Sequence, residues 1–457
     1  HELNEMTRVM HAHLHNYIEL SLNYADAGLY KEAAKVLALI SQAERPMLHY
    51  YMAYYSNSDV ELQIAAKCRD FLFPNLLTDM IVLENAINNN PEDSLAPYLL
   101  GCLLYDKERF DDAIDYWEMS KTIDPKNPDV YRNLAIAYYN KRKDPEQAMH
   151  NMERALRLDS KNARIFYEYD QLCKLMNVAP KKRLKTMTAN MELVNQRDDL
   201  YTEYVTLLNT CRYFRRALKA MEIHRFHPWE GGEGKITAQY RRACIGIGME
   251  CLRSNDNEGA LKILQKALIY PENLGEGKLP TATDNDIYYF LGCAYKNIDL
   301  IDANECFNLA LRITENLDSQ KYYSDQPPEM FFYSAKAAEQ LGYHKLAIRR
   351  YRKLINYYEA HFDDHCEIDY FAVSLPDFLI FDADLDKNNF VHCCYMAALG
   401  YIGMGDEEKA VKFAEMGLEK NASHQGLIDI RDMNEEPVEN SGVDIEGGYF
   451  KAASWQK

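Results

Sequence analysis

Long apolar runs, paired cysteines and a surplus of positive charge are all missing from this sequence. No stretch approaches the ~18 consecutive apolar residues that span a bilayer, and no signal-peptide pattern opens the chain. The 11 cysteines include no C-x-x-C pair. Cys244, Cys251 and Cys293 fall at apolar helical positions, so they read as reduced core residues of a cytoplasmic protein, not as a disulfide frame. Cys393 and Cys394 are adjacent, a poor geometry for an ordinary disulfide. Lysine and arginine number 52 against 70 acidic residues, a formal charge of −18. That balance argues against a general nucleic-acid surface, which needs clustered cations to displace counterions. The local run Lys181, Lys182, Arg183, Lys185 reads as a solvated helix start. Glycine and proline, 20 and 15 in 457 residues, are too few for the many turns of an all-β protein. The chain starts at His1 with no initiator Met, which leaves open a processed chain or a part of a longer polypeptide.

What is present is a repeat. Between Ser94 and Pro125, Leu100, Gly101, Leu104, Ala113, Trp117 and Pro125 fit two short amphipathic helices. Small residues stand where the helices must cross, and a proline stops the second. This spacing matches the tetratricopeptide repeat (TPR), a unit of about 34 residues. The grid recurs at Leu20, Ser21, Tyr24, Ala33, Leu37 and Ile40, and at Leu134, Ala135, Tyr138, Ala148, Met152 and Ala155. It recurs again around Tyr204 and Ala217, Ile247 and Ala260, Leu291 and Ala303, Ser334 and Ala347, and Ala397 and Ala410. Met47 to Asn75 reads as a degenerate copy, while Asn162 to Leu193 is helical but off the grid. The expected fold class is therefore all-α, a right-handed α-solenoid whose units bury their faces only by stacking and whose concave surface is the default binding site. The 34 tyrosines read chiefly as inter-helix packing with their hydroxyls at the surface.

Two loops share a word. "HPWEGGEGK" (His227 to Lys235) and "YPENLGEGK" (Tyr270 to Lys278) both contain G-E-G-K, 43 residues apart, each between repeats. Equivalent places in successive repeats should be neighbours along one edge. A P-loop reading fails, because no strand precedes either loop and Ile236 or Leu279 follows the lysine in place of Ser or Thr. Two readings stay open. Structurally, the glycines allow positive φ and a Glu accepts from backbone N–H groups at the next helix start. Functionally, His227, Trp229, Glu230, Glu233, Lys235, Glu276 and Lys278 form an acidic, aromatic edge that grips a peptide or a sugar.

"RFHPWEGGEGK", "ALIYPENLGEGK", "DYFAVSLPDFLIFDADLD" and "HCCYMAALGYIGMGDEEKA" resemble the TPR region of a family of large bacterial proteins. In that family a mutarotase-like β-supersandwich domain of unknown function typically precedes the repeats. The resemblance spans roughly residues 90 to 430 and implies a carbohydrate context for the whole polypeptide; it assigns no catalytic residue here.

Other clusters do not hold up. "DADLDKNN" (Asp382 to Asn389) mimics a calcium loop, but Lys387 and Cys393 stand where an EF-hand needs Gly and Glu. His361 and His365 with Cys366 have zinc-like spacing without an H-E-x-x-H motif. His11, His13 and His15 read as chance. Asp363, Asp364, Glu367 and Asp369 show no convergence on a pocket. No catalytic residue, metal or cofactor is expected. The organisation expected is a TPR-like array over 1–161, an irregular helical connector over 162–197, a second array with the G-E-G-K loops over 198–433, and a linker or docking tail over 434–457. The function expected is a non-catalytic scaffold that binds a protein partner, or an adjoining sandwich domain of the same polypeptide, through its concave face and G-E-G-K edge. The alternative is an accessory part of a carbohydrate-active protein whose loops contribute to glycan binding or a glycosidase site.

Overall fold

The computed structural model describes residues 5, 8–11, 13–40, 45–68, 73–227, 229, 232–317, 326–367 and 380–434. Among them every regular element is a helix; there is no strand, and no helix is long and apolar enough to cross a membrane. The chain divides into two compact units, residues 1–160 and 161–457.

The first unit holds α1 (Leu14–Asp26), α2 (Tyr30–Ala38), α3 (Pro46–Ser56), α4 (Asp59–Ala65), α5 (Leu77–Asn89), α6 (Leu95–Asp106), α7 (Phe110–Ile123), α8 (Pro128–Asn140) and α9 (Pro145–Leu158). The second holds α10 (Ala163–Leu175), α11 (Pro180–Thr188), α12 (Met191–Val194), α13 (Asp198–Thr210), α14 (Phe214–Ile223), α15 (Lys235–Arg253) and α16 (Asn257–Ala267). It continues with α17 (Asn285–Tyr295), α18 (Leu300–Ala310), α19 (Pro328–Gln340), α20 (His344–His361), α21 (Leu385–Gly403), α22 (Glu407–Lys420) and α23 (Gln425–Arg431). Each grid copy read from sequence corresponds to one adjacent pair of these helices, and the two members of each pair pack together.

The turns inside the pairs explain how the register is set. Gly28, Asn57, Glu108, Lys143, Asn177, Arg212, Asn255, Gly342 and Gly405 all have positive φ, and each sits between the two helices of a pair. A left-handed residue ends the first helix and lets the second fold back against it. Glycine takes that conformation freely, yet most of these turns force it on a residue with a Cβ, which tight helix pairing must overcome. Residues 162–197, expected as an irregular connector, contain α10 and α11 joined by the same turn at Asn177, and then α12. Helix starts follow local chemistry. Pro46, Pro128, Pro145, Pro180 and Pro328 occupy first positions, where a missing N–H costs nothing. Asn127, Asp144, Asn162, Asp256, Asp299, Asp384 and Asp406 cap with their side chains.

Crossing points are as tight as the small residues demand. Ala113, Ala217, Ala260, Ala347 and Ala410 are all completely buried. A Cβ at Gly101 would lie 2.5 Å from the Trp117 ring, whose Nε1–H donates to the Tyr98 carbonyl at 3.2 Å. The tyrosines depart from expectation in one respect, because several keep their hydroxyls inside. Tyr50 donates to Asp93 at 2.7 Å and Tyr51 to Asp79 at 2.6 Å, within the core of the first unit. A buried phenol retains its net stabilisation only if its O–H finds an acceptor, and here carboxylates provide it.

Candidate functional site: a cavity in the second unit

The two G-E-G-K loops do meet. The Gly234 N–H, at the start of α15, donates to Glu276 Oε at 2.8 Å. Beside it the Phe226 N–H donates to the Asn273 carbonyl at 2.8 Å, and the Asn273 amide donates to the carbonyls of Met221 and His224 at 2.7 and 2.8 Å. Gly234 and Gly275 both have positive φ, as two loops turning into their next elements require.

These contacts sort the residues read from sequence. Glu276 caps a helix start; burial pushes its carboxyl up, opposed by the Gly234 N–H, and nearby Glu233 adds to the rise. Lys278 ties its own loop, donating to the Leu268 carbonyl at 2.9 Å and pairing with Asp284 at 2.6 Å. His227 is exposed and its N–H and ring both bond Asp198, at 2.8 and 3.0 Å. Trp229 is half-buried and lies so close to Gly232 that a Cβ there would overlap the indole. Glu233 and Lys235 are exposed at the same edge. Glu230 lies outside the described residues. So do Asp369 and the tail beyond Asn434.

Trp229, Glu233, Lys235 and Glu276 are among the residues lining a cavity of about 960 Å³ inside the second unit. Its walls come from the faces of α10, α13, α15, α19 and α21 turned away from their partner helices. On α10 these are Tyr167, Gln171 and Lys174; on α13, Asp199, Thr202, Glu203 and Thr206. Both sets recur at spacings of three and four residues (167, 171, 174; 199, 202 or 203, 206), as one face of a helix does. On α15 the stripe includes Ala238, Gln239, Arg242, Gly246 and Met249.

The sequence suggested a concave surface, and residues 421–433 cross back to the start of this unit to wall one side of it. The Ala422 N–H donates to Asn177 Oδ1 at 2.5 Å, and the Asn177 amide donates to the Glu419 carbonyl at 2.9 Å. Gln425 bonds Thr210 and Gln239 at 3.1 and 3.0 Å. Arg242 pairs with Asp429 at 2.9 Å, and Arg212 donates to the Asp432 carbonyl at 3.1 Å. Leu427, fully buried, anchors α23 against Gly417.

Arg183 completes this clasp, and its role corrects the reading of its basic run as a solvated helix start. Its guanidinium is buried and grips Asp170 with two bonds, at 3.0 and 2.5 Å, while also reaching Glu203 at 2.7 Å and Ser423 at 3.1 Å. Only its neighbours Lys181, Lys182 and Lys185 face solvent. Burial would raise the Glu203 carboxyl, but Lys174 and Arg183 overcome it and hold the group down at about 2.

His424 gives the clasp a pH dependence. Its Nδ1 accepts from the Leu427 N–H at 3.2 Å, capping α23, and its ring lies 4.9 Å from that of Tyr395. Burial, followed by His392 and Arg242, holds it down from the ordinary 6.5 to about 4. A proton on Nδ1 would remove the acceptor. Below pH 6.5 the unfolded chain binds that proton before the folded chain does. The stabilisation is therefore full above 6.5 and is lost as pH falls toward 4. His424→Asn, which caps without titrating, should lose its unfolding midpoint less steeply than the parent over that interval. Parallel losses would contradict this role.

The residues tempting as metal ligands have other partners. His361 bonds Asp364 and His365 bonds Asp386, at 2.7 and 3.0 Å, and Asp384 caps α21. No group of three or more metal-binding side chains converges among the described residues.

No known family profile matches the sequence. Solved structures to which the chain is similar include MamA, 20% identical, with 35% of this chain and 87% of that one covered at a TM-score of 0.21. YrrB, described as a TPR protein with an unusual peptide-binding site, is 20% identical over 41% of this chain and 90% of its own, at 0.31. The pilF protein of Pseudomonas aeruginosa is 16% identical over 55% and 88%, at 0.20.

Proposed function

We propose that the second unit is a non-catalytic interaction module that holds an extended segment of a protein partner in this cavity, with Trp229 and Glu233 among its lining residues. The carrying observation is the cavity itself. At about 960 Å³ it accommodates a few residues of chain and excludes a folded domain. Its wall mixes aromatic faces with amides and hydroxyls, the groups that satisfy an extended backbone's N–H and C=O as it leaves water. Asn273, Glu276 and Lys278 support this part of the lining by fixing one loop on the other. The partner segment comes from a separate protein or from an adjoining domain of the same polypeptide.

Ala238 is exposed on the cavity stripe of α15, so Ala238→Trp fills the space without entering a helix crossing. A random decapeptide array probed with the full chain should yield binders, and the variant should lose them at least tenfold with an unchanged unfolding midpoint. Equal binding by the variant would sink the assignment to this cavity. The glycan alternative rests on Trp229 and Glu233 both lining the cavity. Binding on an oligosaccharide array with none on the peptide array would establish it instead.

A further inference from the structure

Along the cavity wall, several carboxylates are matched to cations, while Glu276 is held instead by the Gly234 N–H. Asp286 pairs with Arg241 at 2.7 Å, and Asp429 with Arg242 at 2.9 Å. Glu203 has Lys174 and Arg183. Glu329, in the first turn of α19, lines the same space; among the described residues no ion pair holds it, and its carboxyl accepts only from its own backbone N–H. Arg241 and Arg242 favour its charge but are already engaged by Asp286 and Asp429, and burial pushes its carboxyl up, so a further cation beside it would offset that penalty.

Two phenol rings share its surroundings. Tyr333 lies four residues on from Glu329, one helical turn along the same cavity-facing stripe. Tyr395 approaches from α21, and its hydroxyl and that of Tyr333 each feel the Glu329 charge. Gly426 makes room for it: a Cβ there would lie 2.5 Å from the Tyr395 ring. A carboxylate beside aromatic faces, partly withdrawn from water, suits one class of group. An ammonium or guanidinium gains the ion pair and the ring quadrupoles together, and it satisfies a carboxylate that burial otherwise penalises. An anion would meet repulsion, and a neutral side chain would leave Glu329 unmatched.

We propose that Glu329, Tyr333 and Tyr395 form a subsite for one organic cation, the side chain of a Lys or Arg in the bound segment. This rests on the peptide reading above and specifies it: the partner segment is basic at the position that enters this part of the cavity.

The test uses fluorescein-labelled decapeptides of alternating alanine and lysine, alanine and glutamine, and alanine and acetyl-lysine, titrated against the full chain by anisotropy at moderate salt. The lysine peptide should bind at least tenfold tighter than the other two. Glu329→Gln should remove most of that margin, whereas Glu305→Gln, which deletes the same charge at an exposed position of α18, should preserve it. The acetyl-lysine comparison removes the charge from the ligand, so the result stands even if Glu329→Gln is poorly folded. Equal affinity for all three peptides overturns the subsite while leaving the peptide reading intact, as does a margin that survives Glu329→Gln. Absence of binding by every peptide overturns both.

Discussion

Arg183→Met should cost the second unit about 3–5 kcal/mol, among the largest losses open to a single substitution here. The guanidinium is 2% exposed and is shared by Asp170, Glu203 and Ser423. Methionine fills much of its volume but leaves Asp170, itself 4% exposed, as a buried carboxylate with no fork to hold it. Glu203 keeps Lys174 and suffers less. Arg183→Lys should fall between, since it restores the charge but not the paired bonds. The measurement is denaturant unfolding of the full chain followed by circular dichroism. A change below about 1 kcal/mol for the methionine variant would show that the buried pair is not holding this end of the unit together.

Leu427→Ala should cost about 2–5 kcal/mol, the usual range for a fully buried leucine. Its second effect separates it from an ordinary core deletion. Leu427 seats α23 on Gly417, and α23 carries Asp429 toward Arg242. Loosening that seat should open the clasp, so proteolysis near residue 421 should accelerate and peptide affinity should fall even where most of the chain remains folded. Affinity unchanged in the folded variant would mean that closure by 421–433 is irrelevant to the site.

The repeat register was legible because packing at helix crossings constrains residue size. Ala113 to Ala410 mark the crossings in sequence, and all are buried in the structure. Adjacency of the G-E-G-K loops was legible for a related reason, since a solenoid places equivalent loops side by side. The clasp was not. Asn177 and Ala422, or Thr210 and Gln425, meet across more than 200 residues, and no periodicity connects them. Arg183 was obscured by its lysine neighbours: only one side chain of that run points inward, and charge counting cannot say which. Glu329 and Tyr333 went unread in the sequence, though they sit on a face of α19 opposite the buried Phe331, Ala335 and Ala338. The returning segment turns such a face into a cavity wall. That depends on where the chain's far end returns.

Hydrogen exchange of the full chain, with and without the tightest decapeptide from the array, tests the central claim most directly. Occupation of the cavity should slow exchange in α13, α15 and α19 and in residues 421–431, because these surround the ligand and closure over it suppresses local opening. Helices between residues 14 and 158 should exchange as before. Protection confined to that first unit, or none along the cavity walls despite saturated binding, would contradict the account.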